Sequence, residues 1–103
     1  MKMKENIETF TDIINGDTPV MVDFFATWCG PCKTMLPILK DFSTQMGDRV
    51  RVIKIDVDKA PKTAETYKIQ GVPTLILFKA GEILWRQSGI VPKHQLVKVI
   101  NEL

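Results

Sequence analysis

The chain has 103 residues, of which 45% are hydrophobic and 25% charged, as in an average globular protein. Fourteen basic and twelve acidic side chains leave a net charge of +2, which is too small to indicate nucleic acid or a membrane surface as a partner. No apolar run approaches the roughly 20 residues that cross a bilayer. The length predicts a single domain over residues 1–103, and no apolar signal segment follows the lysines near the N-terminus. We expect a monomer in the cytoplasm.

The first half of the chain predicts a helix, a buried strand and a second, longer helix. The nearly unbroken apolar run at 19–25 is typical of a strand that is buried on both faces. A helix is expected from Cys29 to about Met46, with a kink at Pro37 and an end at Gly47. The first helix is predicted from apolar residues at helical spacing ahead of a glycine, namely Ile7, Phe10, Ile13 and Ile14.

The second half predicts a strand, a short helix, a hairpin and a terminal helix. β-branched residues alternate along 50–58 and favour a strand, and a short helix is expected at 61–67. The segments 74–79 and 82–88 flank an Ala-Gly turn and predict a hairpin. The last helix begins after Pro92 and carries an apolar stripe, Leu96, Val99, Ile100 and Leu103. This order predicts an α/β fold, with a mixed sheet flanked by helices on both faces.

The chain has two cysteines, Cys29 and Cys32, at the predicted junction of a buried strand and a helix. A structural zinc needs four ligands, and His94 is the only histidine, so a metal site is a poor alternative and none is predicted. In a reducing compartment such a pair is more often redox-active than structural. The helix N-terminus favours the Cys29 thiolate by roughly 0.3–2 kcal/mol, which lowers the pKa of this thiol.

The cysteine pair therefore predicts thiol–disulfide exchange. We expect the Cys29 thiolate to attack a substrate disulfide and Cys32 to resolve the mixed disulfide that forms. Gly30 leaves the backbone uncrowded for an incoming partner, and Pro31 fits the first turn of a helix. Because no cation lies between the cysteines to stabilise the thiolate further, the Gly-Pro pair favours a reductant over an oxidant.

The sequence resembles the thioredoxin family over nearly its whole length. The similarity is carried by "ATWCGPC" at 26–32, by Asp23 ahead of it, by "GVPT" at 71–74 and by "SGI" at 88–90. The resemblance implies the thioredoxin fold, with a central sheet of four or five strands, and protein-disulfide reductase activity. It also implies no bound cofactor beyond the Cys29–Cys32 disulfide, with electrons that come from NADPH through thioredoxin reductase.

Three features depart from the family's pattern. Few residues precede the first predicted helix, so the first strand of the fold is expected to be short or absent. Trp85 is not part of the usual motif and is expected to serve packing. Ser88 stands where thioredoxins often have an apolar residue, a change that can alter the preference for partners.

Asp23 interrupts the buried strand, and burial of a carboxylate predicts a raised pKa. We expect Asp23 to accept the proton of Cys32 during resolution, a role that the family shares. Lys54 is expected near Asp23, where its charge favours the ionised carboxylate. The alternative is a buried Asp23 that is merely paired with Lys54.

A rim that binds substrates is expected around Cys29. Trp28 precedes the nucleophile and is expected to be a partly exposed cover for it. The resemblance implies a cis Val72–Pro73 peptide bond that faces the disulfide, which leaves the Val72 backbone free to pair with a substrate strand. The other residues of the expected rim are Pro31, Ile90 and Gly89, of which the glycine leaves room for the substrate. The alternative is that these residues only pack the loops.

Two other functions stay open at this point. The first is an oxidase or isomerase of the same fold, which a less negative reduction potential would identify. The second is a binding module whose reduced form clamps a partner protein. Replacing Cys32 by serine separates it from a reductant, because a reductant would then trap partners as mixed disulfides.

Overall fold

The computed structural model describes residues 9–103, so Ile7 and the rest of residues 1–8 lie outside it. The helices are α1 (Phe10–Ile14), α2 (Gly30–Met46), α3 (Pro61–Thr66) and α4 (Lys93–Asn101). The strands are β1 (Val20–Phe25), β2 (Arg51–Asp56), β3 (Thr74–Lys79) and β4 (Glu82–Ser88). The elements follow in the predicted order, with one short 3₁₀ helix, Gly47–Arg49, added after α2. The predicted α/β fold is confirmed.

The strands form one mixed sheet in the order β2-β1-β3-β4. β1 runs parallel to β2 and antiparallel to β3, and β3 runs antiparallel to β4. The central strands β1 and β3 come from the most continuously apolar runs, because both faces of a central strand are buried. The edge strands β2 and β4 expose more of their side chains. Within residues 9–103 the sheet has four strands, the lower of the two expected numbers.

Two apolar clusters cover the two faces of the sheet. Side chains alternate along a strand, so Met21 and Leu75 face one side and Val22 and Ile76 face the other. The first cluster contains side chains of α2 and α4, Met35, Leu39, Phe42, Leu96 and Ile100. The second joins α1 to the end of α3 through ring contacts, Phe10, Phe24, Tyr67 and Phe78. Trp85 packs half-buried against the first cluster, as expected.

Local signals begin and end α2. Cys29 caps its N-terminus with an extended backbone, and Pro31 lies in the first turn. The helix ends at Gly47, whose φ of 56° lies in the left-handed region that glycine adopts without steric cost. The helix passes through Pro37 without a break, and the kink expected there stays a prediction.

The strand directions bring four connecting segments to one end of the sheet. β1, β2 and β4 end there, and β3 begins there. The turn before α2, the loop after β2, the segment 71–73 and the residues after Ser88 are therefore neighbours. The predicted site residues lie in these segments or in the first turn of α2, except Asp23 and Lys54, which lie within strands.

Candidate redox site

Cys29 and Cys32 form a disulfide at the N-terminus of α2, with their Cα atoms 5.3 Å apart. The Cys32 backbone N–H donates to the Sγ of Cys29 over 3.1 Å. The two cysteines are 4% and 3% exposed, whereas Gly30 and Pro31 between them are exposed. In the reduced protein, the same N–H and the positive end of the helix dipole are placed to favour a negative charge on the Cys29 sulfur, and the lowered pKa expected for this thiol stays a prediction.

The segment 71–73 faces the disulfide. The Val72–Pro73 peptide bond is cis, which confirms the expectation for this bond. The carbonyl oxygen of Val72 lies 3.5 Å from the Sγ of Cys29. Pro73 is buried, and its carbonyl accepts a hydrogen bond from the Gly89 N–H over 2.8 Å. The structure thus brings Cys29, Val72, Pro73 and Gly89 together.

Exposed apolar side chains lie around these residues. Trp28 is 69% exposed and Ile90 is 47% exposed, so the expected exposure of Trp28 is confirmed. A shallow hollow of about 140 Å³ has Trp28 and Val72 among its lining residues, together with Val57, Ile69, Gln70 and Gly71. Pro31 is exposed and Val72 half-buried. The substrate-binding role of this rim stays a prediction.

Asp58 belongs to the site although the sequence analysis did not select it. Its Oδ2 accepts a hydrogen bond from the Nε1 of Trp28 over 2.8 Å. Its backbone N–H donates to the Oδ1 of Asp56 over 2.9 Å, which orders the turn after β2. The "DVD" at 56–58 signals such a turn, but it does not reveal that Asp58 reaches Trp28 across the end of the sheet.

Asp23 is wholly buried, and its carboxylate oxygens accept no hydrogen bond from residues 9–103. Burial raises the pKa of Asp23 from 3.8 to about 6, and the positive charge of Lys54 opposes part of this rise. The predicted direction is confirmed. By strand alternation Asp23 shares the face of Met21, the face on which α2 packs.

Lys54 is the register partner of Asp23 across β1 and β2. Its side chain is exposed, and no hydrogen bond joins it to the carboxylate, so Lys54 acts on Asp23 through its charge alone. Whether Asp23 has a catalytic role beyond this pairing stays a prediction. A pocket of about 280 Å³ is lined by both Lys54 and Cys32, together with Phe25, Ala26, Thr27, Lys33 and Leu36. The structure therefore brings the charge of Lys54 to the side of the site on which Cys32 lies.

Ser88, singled out as a departure from the family's pattern, contacts the segment that faces the disulfide through one neighbour. Its Oγ lies 2.9 Å from the Oγ1 of Thr74. The Thr74 hydroxyl in turn donates a hydrogen bond to the Gly71 carbonyl over 2.6 Å. Thr74 was not selected from the sequence.

Metal-ligating side chains do not cluster in the described part of the chain: residues 9–103 contain no group of three or more His, Cys, Asp or Glu residues able to hold a metal ion. Among the same residues, no helix has the length and apolar character needed to span a membrane.

The Thioredoxin family model matches residues 2–102. The chain belongs to the thioredoxin family.

Several curated thioredoxins are similar to this family member. Thioredoxin Y1, chloroplastic, of Arabidopsis thaliana is 45% identical over 100 residues, which cover 96% of this chain and 58% of that protein. The thioredoxin of Acidithiobacillus ferridurans is 44% identical over 91 residues, which cover 88% of this chain and 84% of that protein. The chain thus spans less than two thirds of the length of the plant thioredoxin.

A solved thioredoxin structure is similar as well. The crystal structure of chloroplastic thioredoxin z matches with a TM-score of 0.77 and 38% identity, over 84% of this chain and 78% of that one. Together with the four-stranded mixed sheet, this match confirms the thioredoxin fold that the resemblance implied. The roles assigned to individual residues, and the boundaries 1–103 of a single domain, stay predictions.

Proposed function

We propose that this chain is a single-domain thiol–disulfide oxidoreductase that reduces protein disulfides through Cys29 and Cys32. The observation that carries the proposal is the disulfide at the N-terminus of α2, with the Val72 carbonyl 3.5 Å from the Sγ of Cys29. Family membership supports the same chemistry. The structure holds the oxidised form, which is the form that remains after a substrate has been reduced.

The proposed reaction has two exchange steps. The Cys29 thiolate attacks one sulfur of a substrate disulfide, which breaks that bond, releases the other sulfur as a thiolate and leaves a mixed disulfide. Cys32 then attacks the Sγ of Cys29, which forms the Cys29–Cys32 disulfide and releases the second substrate thiolate. Two electrons pass to the substrate, and the chain is left oxidised.

Asp23 is the proposed proton acceptor for Cys32 in the second step. With a pKa of about 6 the carboxylate is mostly ionised at neutral pH and yet basic enough to take a proton. Lys54 tunes this basicity, because its charge opposes the rise caused by burial. The pocket of about 280 Å³ that Cys32 shares with Lys54 is large enough to hold water next to the Cys32 side chain.

The substrates bind, in this proposal, along the rim around Cys29. Trp28, Val72 and Ile90 offer apolar surface, and the backbone of Val72 pairs with an extended substrate segment. Gly30, Pro31 and Gly89 leave room for the approach, and Pro73 holds the segment against the disulfide. Weak, largely apolar contacts suit a reductant with many protein partners.

Electrons reach the chain, we propose, from NADPH through a thioredoxin reductase, and no other cofactor is bound. The relatives include chloroplastic and bacterial thioredoxins, so the proposed compartment is any in which dithiols are kept reduced, with the cytoplasm as the first to be tested. We propose that the protein acts as a monomer, with neither nucleic acid nor a membrane as a partner.

The test is insulin reduction coupled to the oxidation of NADPH by thioredoxin reductase. The chain is expected to catalyse it, and Cys29→Ser and Cys32→Ser are expected to abolish it, whereas His94→Ser, at the exposed start of α4, should leave the rate unchanged. A parallel reaction with dithiothreitol as the electron source tests disulfide reduction without the reductase. Activity with dithiothreitol alone would show that the chain reduces disulfides but does not accept electrons from this reductase. No catalysis with either donor would contradict the proposal.

The Cys32→Ser variant also distinguishes a reductant from a binding module. It is expected to accumulate partners as mixed disulfides that dithiothreitol releases. A complex that forms equally well with Cys29→Ser and survives dithiothreitol would favour the binding module instead.

A further inference from the structure

The ladder between β3 and β4 ends next to the segment that faces the disulfide. Thr74 and Ser88 are register partners at this end, and the Gly89 N–H continues the ladder to the Pro73 carbonyl. Thr74 is wholly buried, whereas Ser88 is exposed. Two hydroxyl groups therefore lie side by side, one in the core and one at the surface.

The direction of the hydrogen bonds follows from counting protons. A carbonyl oxygen only accepts, so the single hydroxyl proton of Thr74 is donated to the Gly71 carbonyl, 2.6 Å away. Because that proton is already used, the 2.9 Å contact between the two hydroxyls has Ser88 as the donor and Thr74 as the acceptor. Hydrogen bonds arranged in such a chain polarise and strengthen one another.

The chain of hydrogen bonds ends on the peptide group that leads into Val72. The Gly71 carbonyl and the Val72 N–H belong to one planar unit, so a bond that holds the carbonyl also sets the direction of the N–H. On the other side of Val72, its carbonyl lies 3.5 Å from the Sγ of Cys29. Both backbone groups of Val72 are thus held in a segment that Thr74 and Ser88 anchor.

We propose that Ser88 is a positioning residue: its hydroxyl, acting through Thr74, holds the Gly71–Val72 peptide group in the orientation that receives substrate. The inference rests on the proposed function, in which a substrate segment pairs with the Val72 backbone. An apolar residue at position 88 removes the donor and leaves Thr74 alone to hold the Gly71 carbonyl.

Ser88→Val and Ser88→Thr make a matched pair for the test. Valine and threonine have nearly the same size, and both are favoured in strands, but only threonine keeps a hydroxyl. Ser88→Val is expected to raise the KM for insulin about three- to tenfold, the effect of losing one neutral hydrogen bond, with kcat within about twofold of the unmodified chain. Ser88→Thr should keep the KM of the unmodified chain.

Two further measurements isolate the mechanism. Dithiobis-nitrobenzoate, a small disulfide without a peptide backbone, should be reduced at the same rate by all three proteins. In a Thr74→Val background, Ser88→Val should change the KM for insulin no further, because the hydroxyl that links Ser88 to the Gly71 carbonyl is already absent.

A readout that needs no activity keeps this inference separate from the proposed function. The Gly89 N–H is bonded to the Pro73 carbonyl and reports on the order of the segment by its hydrogen exchange in the oxidised protein. Ser88→Val is expected to speed this exchange about three- to tenfold and Ser88→Thr to leave it unchanged. If the unmodified chain fails to reduce insulin, the proposed function is wrong. The exchange rates of the Gly89 amide still test whether the Ser88 hydroxyl holds the segment.

The inference is overturned if Ser88→Thr shows the same changes as Ser88→Val, because the hydroxyl is then not responsible. It is also overturned if Ser88→Val alters neither the KM for insulin nor the exchange of the Gly89 amide.

Discussion

Burial of Asp23 disfavours the ionised carboxylate that its proposed role as a proton acceptor requires. Its pKa in the folded protein is about 6, above the ordinary 3.8 that it regains on unfolding. Between these values the unfolded chain loses the proton first, so the stability of the fold decreases as pH rises through this window. Above about pH 6 the carboxylate is ionised in both states, and its burial then lowers the free energy of unfolding by the full amount. A pKa shift of this size corresponds to roughly 3 kcal/mol.

Asp23→Asn is therefore expected to stabilise the protein at neutral pH. The free energy of unfolding, from urea titrations, should exceed that of the unmodified chain by up to about 3 kcal/mol at pH 7, and the gain should shrink toward zero near pH 4. Asp41→Asn, which removes an exposed carboxylate from α2, serves as the control for the loss of one negative charge. A gain that is equally large at pH 4 and pH 7 would contradict the account.

The same variant is expected to slow catalysis. Asparagine cannot take up the proton of Cys32, so the rate of insulin reduction at pH 7 should fall by at least about tenfold. Single-turnover experiments should assign the loss to release of the mixed disulfide. If turnover at pH 7 is unchanged, Asp23 is not the proton acceptor.

Some residue-level features follow from local sequence and others do not. The raised pKa of Asp23 was predictable, because a carboxylate inside an apolar strand has to be desolvated. The bonds from Trp28 to Asp58 and from Ser88 to Thr74 were not, because each joins side chains that only the assembled sheet brings together.

At the scale of elements, the strands and helices were well marked by local signals. The apolar run at 19–25 predicted β1, the Ala-Gly turn predicted the hairpin of β3 and β4, and Gly47 marked the end of α2. The hairpin strands match their predicted bounds, 74–79 and 82–88. The end of β2 fell two residues earlier than expected, because Asp56 already begins the turn that its side chain stabilises.

α3 is short, and a residue of another element holds its C-terminal end. Arg86 of β4 donates from its two Nη atoms to the carbonyls of Tyr67 and Lys68. These carbonyls lie where the helix has ended, and Lys68 has a φ of 55°. Arg86 thus ties the chain that leads toward the segment 71–73 to the edge of the sheet.

Arg86→Leu is expected to lower the free energy of unfolding by about 1–2 kcal/mol, because it removes two hydrogen bonds from a charged donor at an exposed site. Arg86→Lys keeps the charge but not the two-pronged geometry, and an intermediate loss is expected. Chemical denaturation measures both. Unchanged stability in Arg86→Leu would show that these bonds do not hold α3.

At the scale of the whole molecule, the sheet order assembles the site. The sequence predicted a mixed sheet with helices on both faces, but not the order β2-β1-β3-β4, because pairing between strands that lie far apart in sequence leaves no local signal. That order places the turn before α2 beside the segment 71–73 and the residues after β4. Cys29 therefore meets Val72 although 43 positions separate them in the chain.

The central claim is that this assembly stabilises the thiolate of Cys29 in the reduced protein. The most direct measurement is the rate of iodoacetamide alkylation of the reduced protein as a function of pH, with the modified cysteine located by mass spectrometry. We expect Cys29 to react first, with a midpoint below the ordinary pKa of a cysteine, and this advantage to vanish in denaturant, which removes the helix N-terminus. An ordinary midpoint for Cys29 in the folded protein, or earlier modification of Cys32, would contradict the account.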